Sequence, residues 1–472
     1  MGRFNVLVIL FATLGSVTVG YCNGIIGTTL GESGFVTYFN LDDSDSTGLI
    51  GAINGLYQTG GLFGCLSAGW TADQFGRRKA LFIASCFAIL GSALQAGSVH
   101  VAMFILARFI TALGSDVGAI VTIVPMWQSE VAPPKTRGFL VGMHGVFILS
   151  GYTIAAWIGV GFSYVQGVGV QWRVPLAIQA IPPLLLACGV LFLPESPRWL
   201  VENNEGDRAL AILKKIHHDP NNANEAFATA EFTQIKTQLA LEKTLPSSWW
   251  SIFTVPSYRK RAIIGFSTMF CCQATGTLVI ANYGSILYTS LGFGGKDQLL
   301  LTAGWISFGP PLNFINALLM DRVGRKNLMV FGLTGVAVSL LLECITNGLY
   351  GIGDNHAGQK AAIFFIFLHI GFYAPCLDAT TYVYASEIWP THLRAKGCAI
   401  STAGLYLGSL IVLTAAPTAF AVIGWKYYVC FLCATIYSIF LFQFYFVETK
   451  GLSLEEVAQR FGDQVVRNRK TL

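Results

Sequence analysis

Apolar runs of about 20 residues recur along the chain, near 5–27, 48–70, 79–98, 100–124, 139–162, 174–193, 262–291, 298–320, 327–349, 361–385, 396–417 and 425–446. Each is long enough to cross a hydrocarbon core of about 30 Å at about 1.5 Å per residue. Nothing else limits the fold as strongly, because a segment in lipid has to satisfy its own backbone hydrogen bonds. Twelve spans are therefore expected, in an all-α integral membrane protein. Composition agrees: 12% of residues are charged, against about 25% in a soluble domain. The first run carries a single base, Arg3, and no small-residue cleavage site before a soluble domain. A retained span is expected there, not a signal peptide.

The net charge of +5 is local. Bases cluster at Arg77-Arg78-Lys79, Lys135 and Arg137, through 198–261, at Arg322, Arg325 and Lys326, and at Arg394 and Lys396. The alternate loops hold Glu32, Asp42, Asp43, Asp45 and Asp354. Basic loops mark the cytoplasmic side of a membrane protein, so both termini are expected in the cytosol, with the plasma membrane as the location and nucleic acid excluded as a partner. Most of the eleven cysteines fall inside apolar runs, which implies no disulfide framework. Cys430 and Cys433 have CxxC spacing within the last run, where small-residue packing is expected.

The longest polar stretch, 194–261, divides the runs six and six. It reads as short amphipathic helices, for example GDRALAILKKIH. The expected organisation is a six-helix bundle over 1–193, a cytoplasmic helical linker over 194–261, a second six-helix bundle over 262–446 and a cytoplasmic tail over 447–472. The halves echo each other: DQFGRRKAL (73–81) recurs as DRVGRKNLM (321–329), and SEVAPPKTRG (129–138) as SEIWPTHLRAKG (386–397), at offsets of 248 and 257 residues. Two pseudo-symmetric bundles of this kind place a substrate site at mid-bilayer between them.

On these residues the chain resembles the sugar porters of the major facilitator superfamily, especially the fungal-type members. Gly69-Trp70-Thr71-Ala72-Asp73-Gln74-Phe75-Gly76-Arg77-Arg78 matches the loop between spans 2 and 3. Arg108 matches the base opening span 4, and Glu130 with Arg137 brackets the next loop. PESPRWL (194–200) and VETKG (447–451) match signatures after spans 6 and 12, and Gln273 and Gly276 match span 7. The resemblance implies sugar transport by alternating access, with a small sugar as partner and no cofactor or metal. The chain is expected to act as a monomer. Asp73, Arg77, Glu130, Arg137, Glu195 and Arg198, with Asp321, Arg325, Glu387, Arg394 and Glu448, fall at helix ends facing the cytosol. An exposed ion pair contributes only about 0–1 kcal/mol, but a network can bias a two-state equilibrium, so these residues are expected to gate.

A sugar site needs amides or hydroxyls and aromatic faces. Where the family has two glutamines, an asparagine and two tyrosines in span 7, this chain has Cys272 and Gln273, Leu278, then Asn282 and Tyr283. Gln273 and Asn282 lie on opposite faces of an ideal helix, so both can line one cavity only if the span breaks between them. In span 10, Asp378, Thr381 and Tyr382 share one face by their spacing. Asp378 stands where the family usually has Gly or Pro; packing, sugar binding and proton carrying all remain open for it. Tyr382 and Tyr406 align with family aromatics. Asn313 and Asn316 in span 8, Gln58 in span 2, Asn23 in span 1 and His144 in span 5 are further candidates, and Gln179 a weaker one. A break is expected near Asp116 in span 4, and Glu343 is expected to reach water at the outer end of span 9.

Four functions compete: a facilitated carrier, a sugar/proton symporter, a transporter-like receptor and a membrane enzyme. Only about 25 residues follow the last run, against the long tail of a signalling receptor. No metal spacing, nucleophile elbow or phosphate-cradling loop supports an enzyme. Symport in the family uses an aspartate in a span-1 Gly-Tyr-Asp, partnered by the span-4 arginine; here Gly20-Tyr21 is followed by Cys22. A thiol with an ordinary pKa of about 8.5 is a poor substitute, which points to facilitated diffusion unless Asp378 or Asp116 carries the proton. Cys22→Asp is therefore expected to gain uphill, proton-driven accumulation, measured against an imposed pH gradient. Unchanged coupling would leave the cysteine as ordinary packing.

Overall fold

The computed structural model describes residues 3–42, 46–114, 120–131, 137–167, 169–216, 226–242, 248–350, 355–452 and 454–462. Asp43, Asp45, Asp116, Lys135 and Asp354 lie outside them, and of Arg137 only the backbone is described.

Among the described residues the helices resolve into twelve spans, the first three being Arg3–Thr29, Thr47–Phe75 and Arg77–Ala96. Span 4 comprises Val101–Gly114 and Ile120–Val131, span 5 is Arg137–Ser163, and span 6 joins Val170–Ile178 to Ile181–Val190. Span 7 is Pro256–Gln273 with Thr277–Ser290, span 8 is Lys296–Ser307 with Gly309–Val323, and span 9 is Arg325–Tyr350. Span 10 runs through His356–Tyr373, a π-helical turn Ala374–Asp378 and Ala379–Glu387; spans 11 and 12 are Arg394–Ile423 and Tyr427–Tyr445. Four short helices, Pro197–Glu202, Gly206–Ile216, Ala226–Glu242 and Trp249–Thr254, lie between spans 6 and 7. By length and composition alone, seven stretches of the described residues qualify as membrane-crossing, and the last, Arg394–Tyr445, contains two spans. Span 2, with Asn54 and Gln58 among its glycines, shows how polar residues dilute that signal.

The outer faces are apolar: Phe192, Val422 and Phe444 are 86%, 75% and 74% exposed, a surface suited to lipid tails. Cys430 and Cys433, expected to pack, are also exposed. Their three-residue spacing puts both on one side of span 12, and that side faces outward. Glu343 departs from expectation the other way. It is fully buried in span 9, beside Tyr288 of span 7 and Tyr428 of span 12, because neighbouring helices close over it.

Lipid tails are as apolar as leucine, so hydrophobic burial does little to join helices there, and close van der Waals approach does more. Spans 1 and 5 show how close. A Cβ on Gly20 would lie 1.8 Å from the Ile148 carbonyl oxygen, and one on Gly151 2.4 Å from that of Val17. The two bundles then meet along spans 2 and 11, where Gly51 and Gly55 abut Thr414 and Cys65 lies 3.9 Å from the Ala399 carbonyl. They meet again along spans 5 and 8, where the Trp157 indole donates to Ser307 Oγ at 2.9 Å.

Gly20→Leu is expected to destabilise by about 3 kcal/mol or more, since a backbone oxygen cannot step aside. Gly161→Leu, with nothing within 4 Å of its Cβ position, is expected to be silent. Thermal midpoints by fluorescence-detected size exclusion separate the two.

Candidate functional site

Spans 7, 8 and 10 are each interrupted near mid-length, and these interruptions border one cavity. Span 7 ends its first half at Gln273 and restarts at Thr277, with Gly276 in the left-handed region at φ 82°. Glycine takes that conformation without a Cβ clash. The loosened carbonyls find local donors: Thr275 Oγ1 donates to Cys272 O at 2.7 Å, and the Gly276 N–H to Gln273 O at 3.2 Å. Thr275 and Thr277 hydroxyls lie 3.0 Å apart, and Thr277 Oγ1 is 2.9 Å from His369 Nε2 of span 10. Span 8 is divided at Phe308. Span 10 carries Pro375 inside its π-helical turn, where the missing N–H and the ring disturb the α-helical ladder. Asn316 Nδ2 caps the Ala374 carbonyl at 3.0 Å, and Thr381 Oγ1 donates to the Asp378 carbonyl at 2.9 Å.

The cavity holds about 820 Å³ of empty space, part of it open to solvent. Its polar lining comes from Asn23, Gln273, Thr277 and Asp378, and its aromatic surfaces from Tyr152, Trp305, Tyr373, Tyr382 and Tyr406. Asp378 Oδ2 accepts from Asn313 Nδ2 at 2.7 Å. Five expected residues thus meet at one cavity: Asn23, Gln273, Asp378, Tyr382 and Tyr406. The break in span 7 expected from Gln273 and Asn282 is present, yet Asn282 is not on the cavity wall; its Nδ2 donates to Leu278 O at 3.0 Å. Tyr283 is also inside the bundle, its hydroxyl 2.9 Å from Leu413 O.

Thr381 is not among the described residues that line the cavity with Asp378 and Tyr382; its hydroxyl is turned to the Asp378 carbonyl of its own helix. Asn316 is occupied between spans 8 and 10, also accepting from Thr380 Oγ1 at 2.7 Å. His144 Nδ1 is 2.7 Å from Ser16 Oγ between spans 5 and 1, and Gln58 is buried in span 2 away from the cavity. Gln179 is likewise fully buried. Asn313 reaches the site only through Asp378. Trp305, Tyr152 and Tyr373 were not anticipated; a Trp or Tyr deep in an apolar run, whose polar atom needs a partner, is the signal that marks them. The Trp305 indole finds Ile366 O at 2.8 Å.

The charged motifs assemble at one end of the molecule, and the ion pairs of Arg77 and of Arg325 each join helix ends of one bundle. Arg77 Nε and Nη2 both lie 3.1 Å from the Glu130 carboxylate, and Nη1 lies 3.4 Å from Asp73. Arg325 Nη2 lies 2.9 Å from Glu387 and 2.8 Å from Asp321. Glu195 Oε1 accepts from the backbone N–H groups of Arg77 and Ser196, each at 2.9 Å. Glu448 accepts from Arg325 N at 2.9 Å, Lys326 N at 3.0 Å and Thr449 N at 3.0 Å. Glu195 caps the N-terminus of span 3 and Glu448 that of span 9, where orphan donors and the helix dipole favour an anion. Burial pushes the Glu195 carboxyl up, and the backbone donors oppose that shift. Gly76 and Gly324, at φ 85° and 104°, make room, since a Cβ would fall 2.5 Å and 2.8 Å from these carboxylates.

Arg198 is half-buried within Coulombic reach of Asp73, and Arg394 is half-buried at the start of span 11. Arg108 is elsewhere. It is buried in the first bundle, with Nη1 2.9 Å from Cys22 O, Nη2 3.4 Å from Asn54 Oδ1 and its guanidinium 3.8 Å over the Tyr57 ring.

At the opposite end the two bundles touch. Gly27 abuts the Ala281 carbonyl, and Gly31 abuts Leu299 and Ser285. Lys296 Nζ, at the start of span 8, lies 3.7 Å over the Tyr164 ring. Glu32, between span 1 and the short helix Ser33–Tyr38, is 6% exposed. Burial pushes its carboxyl up to about 7, while the Lys296 charge opposes the shift. Separating the bundles would hydrate Glu32 and return its pKa toward the usual carboxylate range. The closed arrangement therefore binds the proton more tightly: acidification through about pH 7 is expected to favour closure, and alkalinisation to favour opening. Electron–electron distances between spin labels at positions 165 and 294 should shorten on acidification, and Glu32→Gln should flatten that dependence.

With this geometry in place, comparison with known proteins is specific. The family model described as Sugar (and other) transporter matches residues 8–461. The MFS-type transporter criB of Aspergillus cristatus is 34% identical over 456 residues, covering 96% of this chain and 92% of that one. High-affinity glucose transporter 1 of Candida albicans is 28% identical, covering 96% and 85%. The same fold occurs in the E. coli xylose transporter XylE. A partially occluded inward-open form superposes with a TM-score of 0.80 at 22% identity, covering 96% and 100% of the two chains. The form bound to 6-bromo-6-deoxy-D-glucose gives 0.81 at 23%, covering 97% and 99%. The chain thus belongs to the Sugar (and other) transporter family, as an integral multi-pass membrane transporter built on the major facilitator fold.

Proposed function

We propose that the protein carries a monosaccharide, of hexose or pentose size, across the plasma membrane by alternating access and facilitated diffusion. The observation that supports this most is the cavity itself. It lies between the bundles at the breaks of spans 7, 8 and 10, and combines amides, Asn23 and Gln273, with aromatic walls. Sugar hydroxyls fit the amides and ring faces fit the aromatics. Relatives named as glucose transporters in Candida albicans and Aspergillus flavus support the same substrate class. Residues 1–193 and 262–446 are read as the two rocking units, with 194–261 and both termini in the cytosol. One chain supplies the whole cavity, so a monomer suffices.

The geometry suggests how the cycle runs. The Arg77–Glu130 and Arg325–Glu387 pairs, with Glu195 and Glu448, bind helix ends within each bundle, so each can move as one body. The contacts of Lys296 with Tyr164 and of Gly27 with Ala281 join the bundles at the other end, and they must part for the opposite state. A ligand in the cavity shifts that equilibrium only by its difference in affinity for the two states. Gln273, at the break of span 7, is where such a difference can arise, because half-span Thr277–Ser290 closes that end. Symport would need a carboxylate that takes up the proton; among the described lining residues Asp378 is the one acid, and Asp116 lies outside the described residues.

Radiolabelled monosaccharides offered to cells lacking their own carriers test the proposal. Saturable entry of at least one, insensitive to a protonophore, is expected, and Gln273→Ala should lower uptake efficiency about tenfold, the worth of one or two hydrogen bonds. Failure of every sugar to enter, with the protein at the cell surface, would sink it.

A further inference from the structure

We infer that the substrate bears a protonated amine, so that the preferred ligand is an amino sugar whose ammonium pairs with Asp378; this rests on reading the cavity as a sugar site. Three observations support it. The first is charge. Among the described residues lining the cavity Asp378 is the one acid, and none is Lys, Arg or His. The groups close to it from spans 7, 8 and 10, Cys272, Asn313 and Tyr373, are neutral side chains. A neutral sugar would leave the carboxylate's charge uncompensated at mid-membrane, whereas an ammonium would neutralise it.

The second is the balance of donors and acceptors. Asn313 spends its N–H on Asp378 Oδ2 at 2.7 Å, which fixes the amide orientation and leaves its fully buried Oδ1 without a donor. Gln273, on the cavity wall and 6% exposed, leaves its buried Oε1 without one as well. Two buried acceptors at this site thus await donors. An ammonium carries three donors and no acceptor, and its bonds to a carboxylate are charge-assisted.

The third is the aromatic lining. Tyr152, Trp305, Tyr373, Tyr382 and Tyr406 surround the cavity, and ring faces attract a cation while still offering surface to a sugar ring. A ligand that is cationic at one position and hydroxylated elsewhere uses all three features together. A neutral hexose uses only the last.

The test uses the full-length protein in proteoliposomes at neutral pH, with glucosamine, N-acetylglucosamine and glucose as probes. N-acetylation keeps the ring and removes the charge. Glucosamine is expected to enter with an efficiency about tenfold above either neutral sugar, the scale of one charge-assisted bond. Asp378→Asn, which keeps the shape and one acceptor, is expected to bring the rates together. Equal handling of the three sugars by the wild type would overturn the inference and leave sugar carriage standing. Entry of none of a wider monosaccharide panel would overturn both readings. Glucose uptake driven by a pH gradient, and lost in Asp378→Asn, would make the proton the cation and overturn the amine. If Asp378→Asn fails to fold, the wild-type preference for glucosamine over its N-acetyl form decides alone.

Discussion

The peptide group in lipid is the constraint on which everything else in this protein depends. Without water, each spanning N–H and C=O must be satisfied by the protein. Breaks in a span are therefore tolerable only where side chains take over the lost backbone bonds. That is where this chain breaks. Thr275 serves the interruption of span 7, and Asn316 and Thr381 serve the π-helical turn of span 10. The breaks they sustain border the cavity that Gln273, Thr277 and Asp378 line, so satisfying the backbone and building a site are linked.

The ends of the spans obey a related rule. Spans 3 and 9 begin immediately after tight glycine turns, and their first N–H groups need acceptors. Glu195 and Glu448 supply them from after spans 6 and 12. Side chains near the same turns repeat the link: Arg78 donates to Leu191 O and Lys326 to Gln443 O. These two carboxylates stand 253 residues apart, between the offsets of the two repeats visible in the sequence. PESPRWL and VETKG are thus structural counterparts, a third element of the internal repeat. Sequence comparison misses it because only the glutamate and a following hydroxyl residue are shared.

Much of this was legible beforehand. Apolar run length located the spans, and the repeated loops announced two bundles, because both signals are local. A span-7 break was expected on the condition that Gln273 and Asn282 line one cavity; the break is present at Gly276, but Asn282 does not line the cavity. Which of them would stay on the wall was not readable. Asn282 is turned into the bundle and Gln273 is not. Thr381 escaped as well: helical spacing puts it near Asp378, but its hydroxyl goes to the Asp378 carbonyl and not to the cavity. Glu343 and the Cys430–Cys433 pair were misjudged because burial depends on which neighbour covers a face, and no local pattern records that.

GYCNGIIG shows the division most clearly. The sequence by itself determined that the segment spans lipid, that it holds cysteine where the family commonly has aspartate, and that its glycines allow close approach. Tertiary structure alone decided where each residue would go. Gly20 meets the Ile148 carbonyl, Gly27 meets Ala281 across the bundle interface, Asn23 reaches the cavity and the Cys22 carbonyl receives Arg108. The reason is physical: hydropathy fixes how deep a residue lies in the bilayer, but in lipid direction around the helix is set by packing against neighbours, and those come from distant parts of the chain.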